Sequence, residues 1–135
     1  MNKELLKIIS LYQSAIADLF PRLAKHLKIK LPISNIDWAN MDTEQRGETP
    51  CGIQYFIHGY GVAMKNKNTA VDFDLGNNGQ INGVDPFRLW EFINSSKNNT
   101  KYQSPKEIEK DIKQAVKNGD MIYSGYILYY LKNDL

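Results

Sequence analysis

From Gly52 to Ile93 the chain reads GIQYFIHGYGVAMKNKNTAVDFDLGNNGQINGVDPFRLWEFI, and three short runs in it alternate with a period of two. Ile53, Tyr55 and Ile57 share one face of an extended strand, with Gln54, Phe56 and His58 on the other. Gly59 and Gly61 flank Tyr60 and predict a tight turn or bulge, because glycine accepts positive φ. Val62 and Met64 lead to a turn at Asn66-Lys67-Asn68. Val71, Phe73 and Leu75 then face inward on a third strand, which places Asp72 and Asp74 together on the opposite face. The pattern predicts a three-stranded antiparallel meander. The run from Gly76 to Gly83 is the densest turn signal in the chain. Asp85-Pro86 then opens a helix, with Asp as the cap and Pro in the first helical position. In that helix Phe87, Trp90 and Ile93 are expected to bury one side, with Leu89 and Phe92 nearby.

The flanking segments supply cover for this sheet. Leu5, Ile8, Ile9, Tyr12, Ala15, Ile16 and Leu19 recur at helical spacing. Pro21 predicts a break or kink at Phe20, followed by a short second turn through Leu23 and Leu27. His26, among lysines near a helix end, reads as a solvated side chain. No period holds from Leu31 to Pro50, where only Trp38 and Met41 look like anchors. Near the C-terminus, Ser104-Pro-Lys-Glu107 is a capping box that opens an amphipathic helix with Ile108, Ile112, Ala115 and Val116 inward. Asn118-Gly119 ends it. Met121 to Leu131 is aromatic and β-favouring, and predicts one or two strands completing the sheet. The expected organisation is one domain over 1–135. It comprises a helical segment 3–28, an acidic loop 31–50, a sheet–helix core 52–93 and a C-terminal helix with strand or strands over 105–131. The fold class is α+β, a small antiparallel sheet of four or five strands with helices mainly on one face.

Charge is unevenly distributed, although the formal net charge is only +2. Residues 3–30 and 97–117 are basic, while 37–48 and 72–91 each carry four acids and one Arg. No single basic stripe interleaved with aromatics is present, so nucleic-acid binding is not expected. The longest apolar runs are too short to span a membrane. The N-terminal segment is interrupted by Tyr12, Gln13 and Asp18 and is a poor signal peptide. A single cysteine, Cys51, excludes an internal disulfide and fits a cytoplasmic location.

Two constellations have chemical potential. His58 with Asp72 and Asp74, on adjacent strands and one sheet face, has the residue types of a general base or of a metal-assisted hydrolase. It has no recognisable nucleophile beside it, and a structural His–Asp pair is the plainer account. Asp74 to Asp85 matches an EF-hand calcium loop at several positions, with Asn78, Gly79 and Gln80 in place. Gly76 removes one ligand, however, and Asp85 replaces the bidentate Glu, so a glycine-rich strand-to-helix turn accounts for it as well as a calcium-dependent binding module does. Arg88, three residues after Asp85, reads as a local ion-pair partner in the first helical turn. No P-loop, dinucleotide fingerprint, HExxH or CxxC occurs.

The succession His58-Gly59-Tyr-Gly61, Val71-Asp72-Phe-Asp74-Leu-Gly76 and Gly83-Val-Asp85 with Arg88-Leu89 resembles a small bacterial family of unknown function. In that family an HGxG run, a VDFDxG run and a GxDxxRLxxF helix follow one another. Its members lie near polymorphic-toxin and contact-dependent growth inhibition loci. Pro86 and Phe87 depart from the family's helix start without disturbing it. The resemblance implies an immunity protein with no enzymatic activity and no cofactor, whose partner is a cognate protein toxin. It assigns no chemistry to His58, Gly59, Gly61, Asp72, Asp74, Gly76, Gly83, Asp85 or Arg88, which are expected to hold meander and helix together. Binding is expected on the acidic segment, at Asp37, Trp38, Asp42, Glu44 and Glu48, which would suit a basic nuclease toxin.

Overall fold

A single long helix, α1 (Lys3–Leu27), forms the spine of the molecule. In the computed structural model, residues 1–29, 46–58, 61–74, 82–96, 100–125 and 127–134 are described. The Asn2 side chain caps α1 by accepting from the Glu4 and Leu5 amides. One stripe of the helix is fully buried, from Leu5 through Ile9, Tyr12, Ile16 and Leu19 to Leu23. The expected break at Phe20–Pro21 does not occur, and α1 continues through Pro21. Pro21 and Ala17 lie on the exposed face, where water reaches the carbonyl that has lost its N–H partner. An interior proline costs a helix about 3 kcal/mol. Burying Leu19, Phe20 and Leu23 on the opposite stripe returns roughly 1.5–3 kcal/mol for each side chain, so the helix persists.

The main sheet has four antiparallel strands in the order β1 (Arg46–Glu48), β2 (Gln54–His58), β3 (Gly61–Asn66), β4 (Thr69–Asp74). The predicted meander is present as β2–β3–β4, with its turn at Lys67–Asn68. Strand β1 is an addition. Arg46–Glu48 falls within the stretch expected to be loop, and it is too short and too polar to carry a period of its own. Ile53, Tyr55, Ile57, Val62, Met64, Val71 and Phe73 turn inward against the C-terminal half of α1, where Phe20 meets Phe73 edge-on at 5.5 Å.

Helix α2 (Pro86–Ser95) packs along the β4 edge and against α1, with Tyr12 and Phe92 in edge contact at 5.3 Å. The predicted cap is present, because Asp85 Oδ1 accepts from the Phe87 amide at 3.0 Å. The inward face is Leu89, Phe92 and Ile93. Phe87 was expected inward and is 47% exposed instead, since its position in the first turn points past both α1 and the sheet. Helix α3 (Pro105–Lys117) buries Ile108, Ile112 and Ala115 against α2 and α1. Neither bond of the expected capping box is among the observed contacts, and Glu107 instead reaches one residue further back. Ser104 makes no side-chain cap bond, while Glu107 accepts from the Gln103 amide at 2.8 Å.

The C-terminal strands β5 (Met121–Gly125) and β6 (Leu128–Leu131) do not complete the main sheet. They form a separate two-stranded sheet that is joined to Val84 through a bridge with Tyr129. The reason is that β4 is already flanked by α2, which leaves no free edge on that side. The architecture is therefore α+β, with three helices, a four-stranded antiparallel sheet and a two-stranded sheet among the described residues. No helix among them is long and apolar enough to cross a membrane.

Candidate functional site

The outer face of the main sheet, opposite α1, is set by strand register. His58, Gly61 and Asp74 form one cross-strand row, and Arg46, Phe56, Ala63 and Asp72 form the next. Glu48, Gln54, Lys65 and Ala70 form a third. His58 and the two aspartates do share a face, but β2 and β4 are not adjacent as expected, because β3 lies between them. The small residues of β3 let the side chains meet across it. A Cβ on Gly61 would overlap the Phe73 carbonyl oxygen, so only glycine admits this approach of β3 to β4.

Asp72 is the hub of the resulting cluster. Its Oδ2 lies 3.1 Å from Arg88 Nη1, and its Oδ1 lies 3.6 Å from His58 Nε2. Arg88 Nη1 also donates to Glu91 Oε2 at 3.2 Å. Burial works against the Arg88 charge, but Asp72 and Glu91 outweigh it and hold the guanidinium above its ordinary value. Arg88 is thus the partner of Asp72 across elements as well as a local helix residue. Among the described residues, Asp72 Oδ1 and Arg88 Nε are buried atoms without a hydrogen-bond partner. Burial pushes the Asp74 carboxyl up, with Arg88 opposing and Asp72 adding to the shift. Burial likewise raises Asp85, while the bond from the Phe87 amide pulls it down.

Beneath the hub, the Tyr12 hydroxyl donates to the Asp72 backbone carbonyl at 2.6 Å. Gln13 reaches the Asn82 carbonyl at 3.1 Å. These bonds fix the α1 spine to the strand and loop that carry the cluster. Gly83 sits against the Tyr130 ring, where a Cβ would lie 2.8 Å from the ring, so this glycine seats β6 on the segment that leads to α2.

Chemically, the cluster sets a carboxylate between a guanidinium and an imidazole. The single thiol of the chain is not at hand. Cys51 lies beyond the start of β2, and Gln54 to His58 alone spans about 13 Å of strand. The Cys51 thiol is exposed and held below its ordinary value, chiefly by its hydrogen bond with Thr49. Among the described residues no three His, Cys, Asp or Glu side chains lie close enough together to hold a metal ion. Of the calcium-loop reading, Asp74 and Asp85 are described and Asp85 serves as helix cap, whereas Gly76 and the positions up to residue 81 lie outside the described residues. Gly59 also lies outside them, as do Asp37, Trp38, Asp42 and Glu44 from the expected partner segment. Glu48 is exposed on β1.

One feature was not singled out in the sequence. The outer face forms a cleft of about 580 Å³ between the sheet and the α2 residues Glu91, Asn94 and Ser95. Ala63 and Ala70 floor it, and Phe56 walls it, with the Arg46 guanidinium 4.7 Å from the Phe56 ring centre. The available signal was the run of small outward residues at Gly61, Ala63 and Ala70, where exposed strands ordinarily carry longer polar side chains.

No curated relative and no solved structure matches the chain. A family model described as a domain of unknown function, DUF6896, matches residues 5–131. That span takes in α1, the meander, the Asp72–Arg88 cluster and the C-terminal strands, and the chain belongs to the DUF6896 family of domains of unknown function.

Proposed function

We propose that this chain is an immunity protein, a cytoplasmic inhibitor that binds and neutralises a cognate bacterial toxin by protein–protein contact. The observation that carries this reading is the outer face of the sheet. Among the described residues no element packs over its centre, and α2 flanks it on one side only. The strands of three, five, six and six residues, at roughly 3.3 by 4.8 Å for each residue, present about 320 Å². A standard interface takes about 800 Å² from each partner. The sheet face therefore supplies somewhat under half, and the α2 flank and the β1 edge with Glu48 add to it. The succession of HGxG, VDFDxG and GxDxxRLxxF motifs, with its resemblance to proteins of toxin loci, supports the same partner class. In this reading His58, Asp72 and Arg88 are a structural hub that fixes α2 against the sheet, so that face and flank keep one geometry.

The test is co-expression with the reading frame encoded directly upstream. The reading expects growth rescue from that toxin domain and a complex recoverable by pull-down. Replacing Asp37, Asp42, Glu44 and Glu48 together with Ala is expected to weaken the complex sharply. Continued killing, together with no recoverable complex, would overturn it.

A further inference from the structure

The charges around the cleft are not equally satisfied. Its two acids, Asp72 and Glu91, both pair with Arg88, at 3.1 and 3.2 Å. Its two cations differ. Arg46 rests on the Phe56 ring, and among the described residues neither Arg46 nor Lys65 has an acidic partner. We infer that the cleft is a docking groove for an acidic segment of the protein partner, which sets carboxylates against Arg46 and Lys65 and an apolar side chain against Phe56 and Ala63. The inference rests on the protein-binding reading above and names the chemistry of the segment that enters the groove.

The spacing follows from the sheet. Arg46 and Lys65 lie two strands and one same-face step apart, about 12 Å from Cβ to Cβ. Residues i and i+4 of an extended segment lie about 13 Å apart on one face, with i+2 between them. The preferred occupant is thus acid, any, apolar, any, acid. Its central side chain meets the Phe56 ring, and the small side chains of Ala63 and Ala70 leave the room it needs. Helix α2 closes the far side, where Asn94 and Ser95 offer polar groups to the segment's backbone.

The probe is an eleven-residue peptide with a Glu-Ser-Phe-Ser-Glu core, titrated into the labelled full chain and followed by amide NMR shifts. Its controls carry Gln or Lys in place of both Glu residues. The acidic peptide is expected to shift the amides of Phe56, Ala63, Lys65 and Ala70. The Gln peptide should bind about tenfold more weakly, and the Lys peptide more weakly still. The exposed-site double variant Arg46→Gln, Lys65→Gln should lose about tenfold for the acidic peptide and gain nothing for the Gln peptide. No shift at millimolar peptide, shifts centred elsewhere, or equal affinity for all three peptides would overturn the inference. So would an oligonucleotide that binds the same amides more tightly than the acidic peptide, which would assign the groove to nucleic acid. A second arm uses the upstream toxin domain. If the toxin binds the double variant as tightly as the native chain, the groove chemistry fails and the immunity reading stands. If no toxin binds while the acidic peptide fills the groove, the immunity reading fails and the groove stands.

Discussion

Tyr12→Phe isolates one bond between the spine and the functional face. The Tyr12 side chain is 1% exposed and its hydroxyl donates to the Asp72 carbonyl at 2.6 Å. The ring also meets Phe92 edge-on, and phenylalanine retains that contact. The substitution thus removes a single donor and leaves the carbonyl of an edge strand short of a partner. A net hydrogen bond is worth about 1 kcal/mol, and an unsatisfied buried acceptor costs about 1–3 kcal/mol. The expected loss is about 1–2 kcal/mol by urea denaturation at neutral pH, with unchanged m-value. In thermal melts it corresponds to a drop in Tm of roughly 3–8 °C for a chain of this size. The pH dependence provides a separate check. Burial, reinforced by Asp72 and Asp74, raises the Tyr12 phenol well above its ordinary 10.0. A group whose folded pKa is raised keeps its stabilising contribution below the unfolded pKa and loses it as pH rises toward the folded one. The native chain's advantage over Tyr12→Phe should therefore be constant up to about pH 9 and shrink above about pH 10. A loss under about 0.3 kcal/mol, or an advantage that grows above pH 10, would mean that this hydroxyl does not hold the Asp72 carbonyl.

Gly61→Ala should cost about 2–3 kcal/mol by denaturant unfolding, because its Cβ overlaps the Phe73 carbonyl and the backbone of two strands must give; a stable, unaltered sheet would show that β3 and β4 are less closely apposed. Asp74→Asn should stabilise the chain at neutral pH and lose that effect at acid pH. Burial raises the Asp74 carboxyl, so the native group favours folding only where it is protonated, and the benefit is lost as pH rises through its folded pKa. Melts from pH 3 to 7 would show this, and a variant less stable than the native chain at pH 7 would contradict it. Glu4→Gln should destabilise most near neutrality and progressively less as pH falls. Bonds from the Lys101 amide and the Thr100 hydroxyl hold the Glu4 carboxyl below its ordinary value, and that contribution is lost as pH falls through the folded pKa. A pH-independent difference between the two chains would count against it.

The meander was legible in the sequence because its residues alternate strictly. Ile53, Tyr55 and Ile57 go in, and a register slip of one would bury Gln54 and His58 instead. The start of α2 was legible from two residues, Asp85 and Pro86. Pro21 misled because its local cost is smaller than the burial of the stripe on either side of it, which only the tertiary structure supplies. Strand β1 carried no signal, since the three exposed residues Arg46, Gly47 and Glu48 are too few to show a period and bury no side chain of their own. The separate β5–β6 sheet was hidden for a related reason. Strand propensity in Leu128–Leu131 does not name a partner, and α2 occupies the edge of β4 that these strands would need. The His58–Asp72 proximity was readable from outward alternation, whereas its bridge to Arg88 depended on where α2 lies. The cleft was least legible, because its floor is defined by the small side chains of Ala63 and Ala70 and its far wall by where α2 lies.

Whether the outer sheet face binds a toxin is decided by calorimetric titration of the upstream toxin domain into native and Phe56→Glu protein. The native chain should form a one-to-one complex, and Phe56→Glu should bind at least about 30-fold more weakly, since a central aromatic anchor typically costs about 2 kcal/mol or more when lost. Absence of heat with the native chain, or equal affinity for the two proteins, would contradict it.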